Sequence, residues 1–487
     1  MGVQIRVDAA QMFVAGRWTA SSSGDVFEAT SPSSGEIIAT LPRGTRDDAR
    51  AAIAAAGEAA PGWARLSAFE RAAAMERIAI AIEERREELA RTLSLDQGKP
   101  LVAEAYAEVE ELVAYFRMAA ADATRIDGLM PPSVDAAKRV LVYRVPLGVV
   151  GVISPWNWPY TMPAEIVAPA LAAGNAVVWN PASSTSLCAV RLAECIVAAD
   201  LPPGVFNLVT GPGAVVGDEI AANPGTQAVG FIGSIESGER VAARAAGKEL
   251  LLEMGGNGPL VILDDADLDA AVDATLTACF LNAGQSCTAG ESILVDERVH
   301  DAYVAKLAAA TRERIQLGDP FDPLTTMGPL NNEKNAAKME RHVADAVGRG
   351  ASIVTGGSRQ RGFGSPLFFE PTILDRVTRD MDVAREETFG PVAPVSTIRS
   401  VEEALAVVNG SQYGLLTSVF TRDLRRGLRF AEEARAGWVN INEGTNYWEA
   451  HLPFGGASGS RSGLGRVGGR FSIDRLTELK TVIVNLA

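Results

Sequence analysis

Hydrophobic positions near the start of the chain repeat at helical spacing. Between Thr45 and Ala60, and again between Ser67 and Leu95, alanine, isoleucine and leucine alternate in this way with glutamate and arginine. Thr45 and Ser67 stand at the start of each stretch and carry side chains that cap helix N-termini. The pattern predicts two alanine-rich helices.

Beyond about Arg139, short β-branched runs alternate with helical stretches. The strands predicted in a first group are Val140–Val145, Gly148–Ile153, Ala176–Trp179, Val205–Val209 and Val229–Ile232, and its helices are Thr185–Ala199 and Ser237–Ala246. A second group has the strands Leu260–Leu263, Ile293–Val295 and Ile353–Thr355 and the helices Leu268–Leu281 and His300–Ile315. Buried strands that alternate with helices are typical of parallel sheets. The predicted fold class is α/β, with two doubly wound parallel-sheet domains.

A last β-like run, Thr481–Val484, lies near the end of the chain with no obvious partner nearby in the sequence. A terminal strand of this kind often pairs with another subunit. We therefore expect a small β arm for oligomerisation and a homodimer or homotetramer. The glycine-rich stretch Gly455–Gly469 is expected to be a loop.

Charge and composition exclude several classes of partner. The 487 residues carry a formal net charge of -15, so nucleic acid and anionic membranes would be repelled. No window offers about 18 uninterrupted apolar residues for a spanning helix, and residues 1–13 lack the features of a secretory signal. The scattered 4 cysteines and 3 histidines predict neither a disulfide framework nor a metal site. We expect a cytoplasmic protein that binds no metal.

Cys287 is the candidate nucleophile. It follows a predicted helix in the sequence Phe280–Cys287, which is rich in glycine and small polar residues. Exposed backbone N–H groups in such a turn favour the thiolate, which is the reactive form of cysteine. The alternative is a buried cysteine that packs as a small hydrophobic residue, which is the commoner case for an isolated cysteine.

Two further side chains suit the chemistry of such a nucleophile. Glu253 ends an apolar strand before paired glycines, where burial would raise its pKa towards the range of a general base. Asn157 lies in a loop stiffened by two prolines and two tryptophans, which would hold an N–H donor for an oxyanion. The alternatives are a strand-end carboxylate that faces water and a loop that is merely well packed.

Together these segments resemble the signatures of the aldehyde dehydrogenase superfamily. Leu252–Gly256 is similar to its glutamate motif and Phe280–Cys287 to its cysteine motif, at a spacing that also matches. Further similar segments are Pro155–Pro159, Phe231–Ser234, Glu386–Pro391 and Pro453–Gly456. These motifs follow the family's order and cover most of the chain.

The resemblance implies oxidation of an aldehyde to a carboxylic acid with NAD(P)+. By similarity, Cys287 would form a thiohemiacetal and then a thioester, and Asn157 with the backbone N–H of Cys287 would hold the oxyanion. Glu253 would activate the water that hydrolyses the thioester. Two alternatives stay open: a dehydrogenase that passes the thioester to coenzyme A, and a non-catalytic structural or binding homologue. The first of these types lacks the general-base glutamate.

The family's organisation, carried onto this chain, gives three functional parts. Residues 1–119 and 142–254 would form the dinucleotide-binding domain, and residues 255–467 the catalytic domain. Residues 120–141 and 468–487 would be the oligomerisation segments.

Most of the implied cofactor residues match the family, with one departure. The cofactor-binding residues implied are Ser154, Trp156, Asn180, Ser183, Gly213, Phe231, Gly233, Ser234, Glu387 and Phe389. Asn180 and Ser183 stand where the family usually has a lysine and a glutamate that contact the adenosine ribose. Losing the glutamate removes repulsion against a 2′-phosphate, whereas losing the lysine removes attraction. The cofactor is therefore NAD or NADP, with the preference undetermined.

The implied substrate tunnel is aromatic and mildly acidic. Its candidate lining residues are Trp158, Thr161, Met162, Glu165, Leu281, Ser286, Thr288 and the stretch Asn446–Glu449, which includes Tyr447 and Trp448. The set contains no arginine or lysine, which a carboxylated semialdehyde would need. It favours an uncharged, aromatic aldehyde, although Tyr447 and Trp448 are equally compatible with packing a loop.

Overall fold

The computed structural model describes residues 10–487. Residues 1–9 fall outside the described residues. They include the start of the predicted dinucleotide-binding domain and most of the segment, residues 1–13, that was assessed for a secretory signal. Within the described part, no helix is both long and apolar enough to cross a membrane.

The helices and strands alternate along most of the chain. The helices are α1 (Arg46–Ala64), α2 (Ala68–Glu84), α3 (Arg86–Asp96), α4 (Tyr106–Ala123), α5 (Thr161–Ala173), α6 (Ser186–Ala198), α7 (Val216–Ala222), α8 (Ile235–Arg244), α9 (Leu268–Phe280), α10 (His300–Arg314), α11 (Glu333–Gly348), α12 (Asp382–Arg385), α13 (Val401–Gly410), α14 (Leu424–Glu433) and α15 (Gly469–Arg475). The strands are β1 (Met12–Val14), β2 (Arg17–Thr19), β3 (Val26–Thr30), β4 (Ile37–Pro42), β5 (Lys138–Pro146), β6 (Val149–Ile153), β7 (Ala176–Asn180), β8 (Phe206–Leu208), β9 (Ala228–Gly233), β10 (Glu249–Met254), β11 (Pro259–Ile262), β12 (Ser292–Asp296), β13 (Ser352–Thr355), β14 (Thr372–Asp375), β15 (Val392–Ile398), β16 (Leu416–Phe420), β17 (Trp438–Ile441), β18 (Gly463–Leu464) and β19 (Thr477–Asn485).

The first sheet has the strand order β18-β10-β9-β6-β7-β8-β1-β2. Strands β10, β9, β6, β7 and β8 are parallel, and the short strands at both edges are antiparallel. Alternate residues of β7 face opposite sides, so Val177 and Trp179 join the core under α2–α6 while Ala176 and Val178 pack against α1 and α7. Both faces are therefore covered by helices.

The second sheet repeats this arrangement in the order β13-β14-β15-β12-β11-β16-β17. Its strands are parallel except for the edge strand β13. Leu260 and Ile262 pack under α9–α11, and Val261 packs on the other face against α13 and α14. The prediction of two doubly wound parallel-sheet domains is confirmed.

The two N-terminal helices differ partly from the prediction. Thr45 and Ser67 are N-caps, each in a reciprocal capping box with the residue three positions on. The single helix predicted from Ser67 to Leu95 is wrong, because the chain breaks at Arg85 into α2 and α3. The Arg85 side chain there forms ion pairs with Glu88 and with Glu194 of α6, which fixes the corner.

The terminal strand finds its partner within the same chain. Strand β19 pairs antiparallel with β5 from Thr477 opposite Pro146 to Asn485 opposite Lys138. The sequence showed no obvious partner nearby for this strand, and the structure supplies one from a distant segment of the same chain. The prediction that Val140–Val145 belongs to the parallel sheet is wrong. The predicted boundary between residues 141 and 142 falls inside β5. Sequence proximity could not reveal this pairing, because the two strands are far apart in the chain.

The loop region between β17 and α15 returns to the first sheet. Its two-residue strand β18 pairs with β10, so that Gly463 lies opposite Glu253. Gly463 has φ +127, and a β-carbon there would meet the Leu252 carbonyl oxygen at 2.1 Å. This return places the segment from residue 442 to residue 468 over the carboxyl ends of strands from the first sheet, which is where α/β sites form.

Candidate active site

Cys287 follows a strained turn that begins at the end of α9. Asn282 and Ala283 both have φ +52, and Gly284 continues the turn at φ +68. Asparagine tolerates this left-handed region better than most residues, whereas alanine pays about 1 kcal/mol or more. Such a turn persists only where the surroundings hold it.

Asn282 is the residue that holds this turn to its neighbours. Its Nδ2 donates to the carbonyl of Asn157 at 3.0 Å and to that of Gln285 at 3.2 Å. Its Oδ1 accepts from Nε2 of Gln97 at 2.9 Å, and its backbone N–H donates to Glu104 at 3.0 Å. The nucleophile turn and the Asn157 loop are thereby joined into one rigid unit.

Asn157 lies in the loop after β6, with its side chain almost fully buried. Its Nδ2 donates to the Gln285 carbonyl at 3.1 Å, which fixes the amide beside the turn that carries Cys287. The neighbouring Trp156 packs edge-on against Phe389 with ring centroids 5.5 Å apart. Because Nδ2 carries two hydrogens, one remains to be donated into the cavity that Asn157 lines.

Glu253 ends β10 and points into the same cavity. It is 5% exposed, and within the described part of the chain neither of its carboxylate oxygens has a hydrogen-bond partner. Burial raises its pKa well above the usual range; the negative charge of Glu165 adds to this and Arg466 opposes it. A buried carboxyl group without a partner is costly and suits a proton acceptor.

The thiol of Cys287 is partly open to the cavity and has a raised pKa. Burial is the main cause, followed by the negative charges of Glu165, Glu253 and Glu387. Burial and these charges favour the protonated thiol, whereas the sequence led us to expect a turn that favours the thiolate. A base must take its proton before it attacks.

These groups share one cavity of about 1000 Å³. The predicted residues that line it are Ser154, Trp156, Asn157, Trp158, Met162, Glu165, Ser183, Phe231, Gly233, Ser234, Glu253, Leu281, Ser286, Cys287, Thr288, Glu387, Phe389, Asn446 and Trp448. The structure does not place the other predicted residues on its wall. Thr161 is fully buried in α5, and Tyr447 is half exposed with its hydroxyl on Glu449. Asn180 is buried outside the wall, and Gly213 is exposed at the surface away from it.

One arm of the cavity has the chemistry to hold a dinucleotide. Ser234 is the N-cap of α8, whose free N–H groups suit a pyrophosphate. Glu387 lines the wall with Oε1 3.2 Å from the backbone N–H of Gly256, and its carboxylate suits the hydroxyls of a ribose. Behind it, buried Glu291 accepts the backbone N–H groups of Thr388 and Phe389 and so fixes this segment.

Asn180 and Ser183, the two residues that depart from the family pattern, both form hydrogen bonds to the turn at Gly211. Nδ2 of Asn180 donates to the carbonyls of Val209 and Gly211 at 2.9 and 3.2 Å, and the hydroxyl of Ser183 donates to Gly211 at 3.3 Å. The Asn180 Oδ1 has no partner in the described chain. Both side chains therefore support the backbone near the adenosine end and supply no cation there.

Several groups around the reactive end of the cavity carry no recognisable signal in the sequence. Lys99, Glu111 and Phe454 line it, and Tyr115 supports Glu165 from behind. Glu111 and Tyr115 lie four residues apart on α4, but this spacing is also that of any amphipathic helix. The sequence does not show which glutamates of α4 face the cavity, because their orientation depends on how α4 packs against α5.

Comparison with known proteins agrees with this arrangement. The model of the aldehyde dehydrogenase family matches residues 18–482. The chain is 39% identical to the NADP+-dependent succinate-semialdehyde dehydrogenase GabD of Escherichia coli, over 98% of each chain. The succinate-semialdehyde dehydrogenase structure from Burkholderia pseudomallei is 40% identical with a TM-score of 0.95, over 98% of each chain. The Staphylococcus aureus betaine aldehyde dehydrogenase in complex with NAD+ is 34% identical with a TM-score of 0.94, over 98% of this chain and 95% of that one.

Proposed function

Because the chain belongs to the aldehyde dehydrogenase family, we propose that Cys287, Glu253 and Asn157 carry out its NAD(P)+-dependent oxidation of an aldehyde to a carboxylic acid. The observation that carries this assignment is Glu253, a buried carboxyl group with neither oxygen paired in the described chain, in the cavity that holds the Cys287 thiol. Its position and its raised pKa are those of a group that accepts protons during catalysis.

In the first half-reaction, Glu253 acts in its ionised form and takes the thiol proton as Sγ of Cys287 forms a bond to the aldehyde carbon. The oxygen of the resulting thiohemiacetal carries the negative charge. Nδ2 of Asn157 and the backbone N–H of Cys287 donate to it, and the bond to Gln285 holds the amide in place. Tight packing of the Asn157 loop means that these donors need no rearrangement as charge develops.

Residues along the arm from Ser234 to Phe389 would hold an oxidised nicotinamide, which would supply the acceptor for the hydride. Loss of hydride from the former aldehyde carbon leaves a thioester on Cys287. Glu253 releases its first proton to solvent and then takes a proton from the attacking water, as the hydroxide adds to the thioester carbon. The C–S bond then breaks, which releases the carboxylic acid and returns the sulfur of Cys287.

The alternatives are not favoured. An enzyme that transfers the thioester to coenzyme A has no need of a carboxyl group to activate water, and Glu253 occupies that position here. A non-catalytic homologue has no need to retain Cys287, Glu253 and Asn157 together, and all three line one cavity.

The cofactor is NAD or NADP, and we propose that NAD+ is preferred. The lysines and arginines on the described cavity wall are Lys99, Lys334, Lys338 and Arg341. Lys99 precedes α4 and the other three belong to α11, and none of them contacts Asn180 or Ser183 through a hydrogen bond. A 2′-phosphate at that end would lose hydration without gaining a cation.

We also propose that the sheet of β6–β10 forms the dinucleotide-binding domain and that the sheet of β11–β17 belongs to the catalytic domain. The strand end at Met254 coincides with the predicted boundary between residues 254 and 255. The β5–β19 ribbon would join subunits into a homodimer or homotetramer. Its exposed apolar side chains, Leu479 and Ile483, support this proposal, because large exposed apolar groups often mark an interface.

A paired set of variants tests the catalytic assignment. Cys287→Ala should abolish aldehyde-dependent NADH formation, and Glu253→Gln should give a burst of NADH and then accumulate the thioester, detected as an acyl mass on the peptide containing Cys287. Cys195→Ser is the matched control, since Cys195 is buried in α6 away from the cavity. Parental turnover by Cys287→Ala would refute the nucleophile, and parental turnover by Glu253→Gln would refute the base.

A further inference from the structure

The wall of the cavity near Cys287 carries two carboxyl groups from neighbouring helices. Glu165 of α5 is 4% exposed, and Glu111 of α4 lines the same wall. The hydroxyl of Tyr115 donates to Oε1 of Glu165 at 2.8 Å, and the second oxygen of Glu165 has no hydrogen bond in the described chain. Glu111 likewise forms no hydrogen bond or ion pair with any described residue. Two acidic side chains are thus directed to a space that no protein group fills.

Aromatic rings complete the wall around these carboxyl groups. Trp158, Trp448 and Phe454 line the cavity. The ring centroids of Trp448 and Phe454 are 5.6 Å apart, and those of Trp448 and Tyr115 are 6.3 Å apart. The faces of such rings carry negative potential and attract organic cations.

The basic side chains nearby are already engaged. Lys99 forms a buried ion pair with Glu108, and its Nζ lies 3.7 Å from the ring centroid of Trp158. Arg466 donates to the carbonyls of Gly456 and Gly465 at 2.7 Å. The other basic residues on the described wall come from α11, where Lys338 donates to the carbonyl of Glu387 on the cofactor side.

No cation pairs with Glu165 or Glu111 in the described chain, and burial therefore disfavours their ionised forms. Burial raises the pKa of Glu165 to about 8 and that of Glu111 to about 7. Glu253 is a third carboxyl group of the same cavity with no partner in the described chain, and it is nine-tenths buried or more. A ligand with a positive charge would restore the ionised form of these acids, whereas a carboxylate ligand would be repelled.

We propose that the substrate is an aldehyde with a cationic head group, a primary or quaternary ammonium, and this inference rests on the proposed function. The ammonium lies among Glu165, Glu111 and the ring of Trp448, and the aldehyde carbon reaches Cys287. This differs from the uncharged aromatic aldehyde that the sequence favoured, because Glu111 and the engagement of Lys99 were not visible there. It also differs from the carboxylated substrate in the name of the Escherichia coli relative.

Three aldehydes of similar size separate the charge from the shape of the substrate. They are 4-(trimethylammonio)butanal, its uncharged isostere 5,5-dimethylhexanal, and succinic semialdehyde. We expect kcat/KM with NAD+ to be at least about tenfold higher for the cation than for the isostere, and lowest for the carboxylate.

Variants of the two acids test whether they cause this order. Glu165→Gln and Glu111→Gln should each lower the ratio of kcat/KM for the cation to that for the isostere by about tenfold. Glu110→Gln is the matched control on the same helix, since Glu110 is exposed and pairs with Arg86. If Glu165→Gln does not fold, Glu111→Gln still gives the ratio.

Inhibition supplies a readout that does not require oxidation of the cation. Tetramethylammonium chloride should inhibit oxidation of the uncharged isostere competitively, beyond the effect of sodium chloride at equal ionic strength. Oxidation of the isostere without preference for the cation, and with unchanged ratios in both variants, would overturn the proposal while leaving the enzyme assignment intact. If no aldehyde, charged or uncharged, yields NADH, the proposed function itself fails.

Discussion

Replacing Asn282 by alanine tests whether the turn before Cys287 is held in place by one side chain. The substitution leaves Nε2 of Gln97 and the carbonyl of Asn157 without the partners that the structure gives them. Each unsatisfied buried group costs about 1–3 kcal/mol, so the pair accounts for about 2–6 kcal/mol. Alanine at φ +52 adds about 1 kcal/mol of backbone strain. This sum is comparable to the whole net stability of many domains.

The same change should slow the reaction. The carbonyl of Asn157 loses its link to the turn, so the oxyanion donor moves relative to Cys287, and loss of such a donor costs about 100-fold in kcat. The assay combines guanidinium unfolding followed by circular dichroism with kcat measured at saturating aldehyde and NAD+.

Two companion variants separate the causes. Asn282→Gly removes the same hydrogen bonds but relieves the backbone strain, so it should be about 1 kcal/mol more stable than Asn282→Ala. Ala283→Gly at the next position loses no side-chain hydrogen bond and should remain within about 1 kcal/mol of the parent. An Asn282→Ala protein within about 0.5 kcal/mol of the parent, with unchanged kcat, would refute the reasoning.

Further predictions concern the thiol, the cofactor and the ribbon. The rate of Cys287 alkylation by iodoacetamide, followed by peptide mass, should keep rising with pH beyond pH 9. Glu165→Gln should make alkylation faster at pH 8, because the variant removes one negative charge near the thiol. An alkylation rate that does not change with pH would contradict the raised pKa of the thiol. In fluorescence titrations, NADPH should bind about tenfold more weakly than NADH, and Asn180→Lys should reduce this difference; equal affinities for the parent would contradict the proposed preference. Light scattering after size exclusion should show a dimer or tetramer that dissociates when Leu479 and Ile483 are both changed to lysine, and a parent monomer would exclude subunit pairing through the ribbon.

Local patterns predicted much of the fold because each carries its own physical cause. Thr45 and Ser67 cap helices with groups only three residues away, and β7 has apolar residues on both faces because helices cover both. The break at Arg85 was not predictable in this way, since its ion pair with Glu194 joins residues more than a hundred positions apart.

The site shows the same division between local and distant causes. Cys287, Glu253 and Asn157 each stand in a recognisable local sequence. Glu111 has no such context and reaches the cavity only because α4 packs against α5. The raised pKa of the thiol could not be predicted for a similar reason, because Glu165 and Glu387 come from distant segments.

The pairing of β5 with β19 bears on how the chain folds during synthesis. Strand β5 leaves the ribosome long before β19, and all of the second sheet is made between them. Until β19 arrives, the N–H and C=O groups of β5 that face it have no partner, and such an open edge can pair with other chains. Chains that terminate early would keep this edge open, so we expect them to aggregate even when the first sheet has formed.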